Sequence, residues 1–490
     1  MLQVDASAVV PVVESCEGKE QRDDEAAART LLARFDRCRG WPWPRRVIVI
    51  VGLGFFFAFF DIITIGLSLE SLQKEFSVTK DTADWAVSVS LIGYVIGSFL
   101  DSRISDLYGR KVSLTISMAL VSGGSALTAS AWEFWVVMVA RFITGMGIGA
   151  DIAQVTAYMN EMCPLCANNR GRYTSMAIAC GFAGFSAVSF VGPSVIPEAD
   201  YGWRLLFGMG ACGGIALLFT RRHLPRSPRW LIERGQFKAA RDNMKRASQE
   251  VFPAAEPGDG AYGKKQASVQ FGTLFTSPHL GRLIMFSLIW FFYYIGNYAY
   301  LELADGMYAD LNFSLGSLWL TGVTACGFTF GSIVSIFVSD KFERLYSCAV
   351  VAAVWSVLMF LIGWYPSEPM VICAGICSTM TISLLIPLLY VLTGEQFPTS
   401  VRATGVSLTD GIGHIGGALA PQIINGISDA IGGSDKTESF RSSFSTMGCT
   451  GLVALVLLLS FGASKRCGSF KSGSDDNEPA SRGDNNKHAV

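Results

Sequence analysis

The chain is 490 residues long, half of them apolar, with 16 % charged residues and a mean hydropathy of +0.38. Charge content this far below that of soluble domains excludes a disordered chain and argues against a cytosolic enzyme. Lys and Arg (39) nearly balance Asp and Glu (40), so no net field gathers nucleic acid, and no nucleic-acid partner is expected.

Residues 1–46 are polar, mixed in charge and free of an apolar run, so no cleavable secretory signal is expected and the first span acts as its own insertion signal. Twelve stretches then have the roughly 17 to 25 apolar residues that a bilayer core requires. They are 47–69, 85–104, 112–130, 133–157, 173–194, 203–220, 282–303, 315–338, 345–364, 369–392, 403–427 and 444–463. Glycine and proline recur inside them, as at Gly145, Gly147, Gly149 and Pro387, which predicts closely packed or kinked helices. The expected organisation is a cytosolic segment 1–46, a six-helix bundle 47–220, a cytosolic loop 221–281, a second six-helix bundle 282–463 and a disordered cytosolic tail 464–490. The fold class is thus all-α integral membrane.

Basic residues set the orientation. With the amino terminus in the cytosol, four short cytosolic connections carry Arg103, Arg110, Lys111, Arg170, Arg172, Lys341, Arg344 and Arg402, against five basic residues in the six opposite connections. Both termini are expected inside, probably a plasma-membrane arrangement being the simplest host, and Asn312-Phe313-Ser314 falls outside as a candidate glycan acceptor.

The twelve cysteines are scattered, so no disulfide framework is expected. Cys163-Pro164-Leu165-Cys166 has CxxC spacing but no second pair or histidine cluster, and reads as an inert connector, not a metal site. No G-x-x-x-x-G-K-(S/T) loop is present, which argues against direct ATP hydrolysis; no cofactor is called for.

The halves repeat. Asp106 to Glu161 and Asp340 to Glu395 both span 55 residues, and Pro164 and Pro398 keep the same offset of 234. An internal duplication explains this, and parallel halves around a midplane cavity are a transporter architecture that works by rocking.

Short turns follow spans two and eight, Asp106-Leu107-Tyr108-Gly109-Arg110-Lys111 and Asp340-Lys341-Phe342-Glu343-Arg344. They resemble the loop motif D-(R/K)-x-G-R-(R/K) of the major facilitator superfamily, with Leu107 replacing the first base and Glu343 replacing the second glycine. Arg141-Phe-Ile-Thr-Gly145-Met-Gly147-Ile-Gly149, Pro225-Arg-Ser227-Pro228-Arg229-Trp230-Leu231 and Glu395-Gln-Phe-Pro398-Thr399-Ser-Val-Arg402-Ala-Thr-Gly405 are similar to sugar-porter signatures. Arg226 stands where that pattern has glutamate. Phe60-Asp61-Ile62 and Gly149-Ala150-Asp151 are closer to the metabolite, aromatic-acid and niacin transporters, and span seven reads Phe291-Phe292-Tyr293-Tyr294-Ile295-Gly296-Asn297-Tyr298 where sugar porters carry Gln-Gln. The resemblance implies gating roles for Asp106, Gly109, Arg110, Lys111, Asp151, Glu161, Arg170, Arg229, Asp340, Arg344, Glu395 and Arg402.

Ionisable groups inside a span cost about 2.5 to 3.5 kcal/mol each and call for a partner or a wet cavity. Asp61 sits about 21 Å from the inner start of span one, and Arg141 about 12 Å from the outer start of span four, so their depths agree in a core of about 30 Å. The pair is either a proton switch, as the resemblance to sugar/proton symporters implies, or a static bridge between spans one and four. Asp410 and His414 share a helical face, where the acid would raise the proton affinity of the histidine, for substrate contact, proton relay or simple packing. Tyr293, Tyr294, Asn297 and Tyr298 supply aromatic faces with hydroxyl and amide groups, suited to a small polar organic ligand.

The function expected is a secondary active transporter for a small polar metabolite, an organic acid, niacin-like compound or sugar, coupled to protons. An uncoupled facilitator and a non-transporting nutrient sensor are the alternatives.

Overall fold

The computed structural model describes residues 10–164, 170–197, 201–247, 252–254, 271–277, 279–309, 311, 313–338, 342–397, 402–433 and 435–466. The first half comprises α1 (Val10–Asp36), α2 (Arg46–Phe76), α3 (Lys80–Tyr108), α4 (Arg110–Ala129), α5 (Phe134–Met162), α6 (Arg170–Val195) and α7 (Gly202–Arg221). Two short helices follow, α8 (Pro228–Glu233) and α9 (Phe237–Met244). The second half comprises α10 (His279–Ala309), α11 (Ser317–Thr324), α12 (Cys326–Val338), α13 (Arg344–Trp364), α14 (Glu368–Glu395), α15 (Arg402–Gly432) and α16 (Lys436–Arg466).

Among the described residues, eleven helical segments are long and apolar enough to cross a membrane, with α11 and α12 together forming one of them. The other long helix is α15, whose 31 residues include Asp410, His414, Gln422, Asn425 and Asp429. Those polar groups are affordable because α15 packs against α3, α10 and α16. Several helices outrun the expected spans: α2 continues to Phe76, α3 begins at Lys80 and α16 at Lys436. Helical hydrogen bonding does not stop where the apolar residues do.

Small residues set the spacing inside each half. A Cβ at Gly145 would lie 1.8 Å from the Ser90 carbonyl oxygen, and one at Gly149 would lie 2.2 Å from that of Tyr94. Gly93 and Gly97 on α3 answer from the other side, against Phe142 and Met146 of α5. This reciprocal small-x-x-x-small contact lets two backbones touch where hydrocarbon offers no hydrophobic drive. Gly327 and Gly331, 234 residues after Gly93 and Gly97, bring α12 equally close to Ile376 and Met380 of α14. The duplication seen in the motifs therefore recurs in the packing.

The α3–α4 turn has its own requirement. Gly109 adopts φ 91°, closing α3 and opening α4 in a conformation that L side chains rarely take, with the Trp230 ring against it.

The halves meet from midplane to the face opposite the described chain ends. Tyr94 donates to Asp410 (2.9 Å), Gln422 to Ser88 (3.0 Å) and Asn425 to Asp84 (2.8 Å), all between α3 and α15. Ser186 of α6 donates to the Ala325 carbonyl (2.8 Å) between α11 and α12.

On the chain-end face, α1 is a helix that the polar amino-terminal sequence did not suggest. Ala28, Leu32 and Phe35 are buried at helical spacing, and α1 packs on α8 and α9. Arg34 and Arg37 donate to the carbonyls of Pro253 and Ala254, and Arg241 of α9 pairs with Asp24 (2.6 Å).

Candidate functional site

In the first half, Asp61 of α2 and Arg141 of α5 form a salt bridge of 2.6 Å in which both side chains are essentially inaccessible to solvent. The other carboxylate oxygen accepts from Ser125 of α4, and the second guanidinium nitrogen donates to Ser90 of α3 (3.3 Å). Phe207 of α7 lies under the guanidinium at 5.2 Å. A buried charge needs this completeness, because desolvation outweighs a bare Coulombic attraction. Ser90 and Ser125 are easy to overlook in sequence: a lone serine in a span carries no signal until its partner is known.

A second buried pair lies nearer the chain-end face. Asp151 accepts from Arg221 of α7 (2.8 Å) and from Ser117 of α4 (2.6 Å). The expected gate position for Asp151 is thus corrected: its carboxylate faces α4 and α7 within its own half, not the rim between the halves. Gln154 accepts from Ser105 (2.7 Å), and Asp101 accepts from Ser113 (2.5 Å).

The second half holds the other cluster. Asp410 of α15 accepts from three tyrosine hydroxyls: Tyr94 on one oxygen (2.9 Å), and Tyr294 (3.1 Å) and Tyr390 (2.7 Å) on the other. The His414 ring nitrogen Nδ1 lies 2.9 Å from the Asp410 carbonyl oxygen, and the ring stacks on Tyr94 with centroids 3.5 Å apart. Tyr298 flanks the imidazole from α10. Tyr94 and Tyr390 escaped the sequence reading because they come from α3 and α14, distant in sequence from the Asp410–His414 face.

Between the two clusters runs a cavity lined from both halves. Tyr94, Tyr294, Asn297, Tyr298, Tyr390 and His414 meet Phe55, Phe59, Phe182 and Phe185 there. The adjoining space is bounded by Arg141, Ser90, Tyr298 and Glu302. Tyr293 is a correction: one residue off the lining face, it turns toward Trp355 of α13 and packs in the second half's interior. Asn297 is buried with its side-chain oxygen unpartnered.

At the chain-end face, Arg110 donates to Glu161 (2.9 Å), Asp106 (2.8 Å) and Ser105 (2.7 Å). Arg344 pairs with Glu395, 234 residues after Arg110 and Glu161. Lys111 donates to the Arg222 carbonyl (2.6 Å), and Trp230 to that of Asp106 (3.0 Å). Arg229 binds both carboxylate oxygens of Asp36 at the end of α1, and also the carbonyls of Glu161 and Cys163. Asp36 thus supplies Arg229 with an acid although Arg226 replaces the expected glutamate. Asp340 and Asn312 lie outside the described residues, as do the side chains of Arg170 and Arg402, Cys166 and the tail beyond Arg466. Cys163 is a buried free thiol.

The family model of the Major Facilitator Superfamily matches residues 51–421. YyaJ of Bacillus subtilis, which bears the name of a metabolite transport protein, is 27% identical over 424 residues, covering 85% of this chain and 92% of its own. The 4-hydroxybenzoate transporter PcaK of Acinetobacter baylyi is 26% identical over 74% of this chain and 80% of its own. The niacin transporter NiaP of the same organism is 23% identical over 80% and 89%. Among solved structures, the proton:xylose symporter XylE bound to 6-bromo-6-deoxy-D-glucose superposes with a TM-score of 0.69 at 20% identity, covering 85% of this chain and 95% of that one. That likeness shows the fold. With 371 of its residues inside the family match and relatives that are transporters over most of their length, the chain is a multi-pass membrane transporter belonging to the major facilitator superfamily.

Proposed function

We propose that this protein is a proton-coupled secondary transporter for a small aromatic or heteroaromatic carboxylate, with Asp61 and Arg141 as the coupling pair. The observation that carries the reading is Arg141, a solvent-excluded guanidinium that both pairs with Asp61 and lines the space between the halves. Protonating Asp61 removes the ionic hold on Arg141 and leaves a cation facing the cavity, which an anionic substrate can neutralise. The surrounding phenylalanine and tyrosine rings offer stacking surfaces for a planar ring. Asn297, with a free carbonyl oxygen, and the hydroxyls around Asp410 supply directional polar contacts. The names of PcaK and NiaP, transporters of 4-hydroxybenzoate and niacin, support the same class.

The direction of rocking follows from the contacts. Arg110–Glu161 and Arg344–Glu395 hold each half together at the chain-end face, while Tyr94–Asp410 and Asp84–Asn425 tie the halves at and beyond the midplane. Opening on the far side requires the second set to break. The basic residues at Arg45, Arg46, Arg221 and Arg222 support a cytosolic chain-end face, and a plasma-membrane location follows from the uptake role.

A thermal-shift screen of the purified protein against nicotinate, 4-hydroxybenzoate, xylose and an organic cation tests the class, since a ligand bound only to the folded state raises its melting temperature. Stabilisation by the two carboxylates, with uptake into proteoliposomes that rises under an inward proton gradient, is expected. Stabilisation by xylose alone moves the substrate class to sugars, and uptake indifferent to the gradient makes the protein a facilitator.

A further inference from the structure

One buried acid has no place in the account so far. Glu302 lies on α10, one turn beyond Tyr298, and is 4 % exposed, with its Oε2 atom lacking any hydrogen-bond partner. It crosses the boundary between the halves: a Cβ at Gly66 of α2 would come within 2.7 Å of that oxygen and within 3.3 Å of the Glu302 backbone. Its carboxyl group lines the same space as Arg141. Arg141 in turn has a buried Nε–H with no acceptor, although its terminal nitrogens are engaged by Asp61 and Ser90. An orphaned donor from the first half and an orphaned acceptor from the second therefore border one cavity.

We propose that Glu302 is a second proton-carrying coupling residue, sharing Arg141 with Asp61 across the interface between the halves. The inference rests on the coupled-transport reading above and extends it to a number. From α2 the neighbouring charge is Asp61 and from α5 Arg141; α3 contributes the Tyr94 hydroxyl, α10 its own Tyr298, and α15 the His414 ring behind Tyr298. With both carboxyls ionised, the two acids and one guanidinium sum to one negative charge. A monocarboxylate substrate raises that to two, in a space walled by Ile62, Ile65 and Leu91. Buried net charge of that size is not tolerated without compensation. One proton on Asp61 and one on Glu302 make the occluded complex neutral, with Arg141 facing the substrate carboxylate. Release of substrate returns Arg141 to Asp61 and lets both protons leave.

Two measurements test this. Infrared spectra of the purified wild type, taken as a function of pH without substrate, identify the Asp61 carboxyl band as the one lost in D61N. In E302Q a further titrating carboxyl band is expected to vanish and the Asp61 band to move; an Asp61 band left in place overturns the shared-arginine arrangement, whatever the substrate. In proteoliposomes, the reversal potential for labelled nicotinate is expected to report about two protons per anion for wild type and about one for E302Q, from the charge balance above. A ratio of one in both proteins overturns the proposal while leaving coupled transport standing, whereas gradient-independent nicotinate uptake by wild type defeats the coupled reading itself. E302D, which keeps the acid, is expected to retain the ratio of two and to separate loss of the carboxyl from loss of packing against Gly66.

Discussion

The two halves, though related by duplication, bury their carboxylates in opposite ways. The first half gives Asp61 and Asp151 a guanidinium each, with a serine of α4 completing either pair. The second half surrounds Asp410 with neutral hydroxyls, one of them reaching across from α3. An ion pair changes its net charge when the acid takes a proton, so it can drive a partner's release. A carboxylate held by three hydroxyls keeps its geometry through fixed directional bonds. The same scaffold thus places an electrostatic device in one half and an aromatic, hydrogen-bonding recognition surface in the other.

The comparison breaks most visibly at Arg141. Replacing it with alanine strands Asp61 in a dry site, and removing one member of a buried pair costs about 3 to 5 kcal/mol. A large fall in melting temperature together with loss of gradient-driven uptake is expected for R141A. A variant that stays as stable as wild type and still accumulates substrate contradicts the first half's assigned role.

Overpacking comes next. Gly145→Ala places a methyl 1.8 Å from the Ser90 carbonyl, beside the residue that supports Arg141. Separating α3 from α5 is expected to cost about 3 kcal/mol, read as thermal destabilisation. The corresponding G327A change, with its Cβ 2.0 Å from the Ile376 carbonyl, should destabilise to a similar degree. Unequal losses would show that the halves share sequence spacing but not packing energetics.

On the second half, Tyr94→Phe deletes one hydroxyl donor to Asp410 and keeps the ring on His414. A hydrogen bond to a charged group contributes about 1.5 to 3 kcal/mol, so weakening of the cross-half closure by at least tenfold is expected, measured as faster labelling of a cysteine placed at Ser88. Unchanged labelling would assign closure to Asp84–Asn425 and Gln422–Ser88 instead.

The smallest effect is outside the membrane spans. Burial, reinforced by the Asp36 charge, pushes the Cys38 thiol up to about 11, so it stays protonated and slow to alkylate at neutral pH. Asp36→Asn removes that repulsion and frees Arg229 from α1. Mass spectrometry of maleimide-treated protein should show severalfold faster modification of Cys38; no change would mean that α1 is held by its apolar face alone.

The sequence is informative here in proportion to how local each signal is. Twelve apolar stretches mark the spans because membrane thickness imposes a length, and Asp61 and Arg141 stand out because charge in such stretches is costly. Their meeting follows from depth alone. The tyrosine cage is less accessible to sequence reasoning: Tyr94, Tyr294 and Tyr390 come from three helices, and which ring of Tyr293 and Tyr294 faces the cavity depends on about 100° of helical rotation. Arg221 was placed as a topological flank, yet its side chain turns inward to Asp151. The helix α1 was missed because its apolar face is narrow and its partner, α9, lies about 200 residues away. Glu302 went unnoticed near the end of an apolar span, where an acid reads as an interfacial residue until Gly66 is seen against it.

The account stands on the proton switch at Asp61 and Arg141. The most direct measurement is accumulation of labelled nicotinate or 4-hydroxybenzoate in proteoliposomes under an imposed proton gradient, compared with substrate-for-substrate exchange, for wild type and D61N side by side. The account predicts that D61N exchanges substrate but loses at least tenfold in gradient-driven accumulation. Accumulation by D61N equal to that of wild type would contradict it and leave the pair a fixed structural bridge.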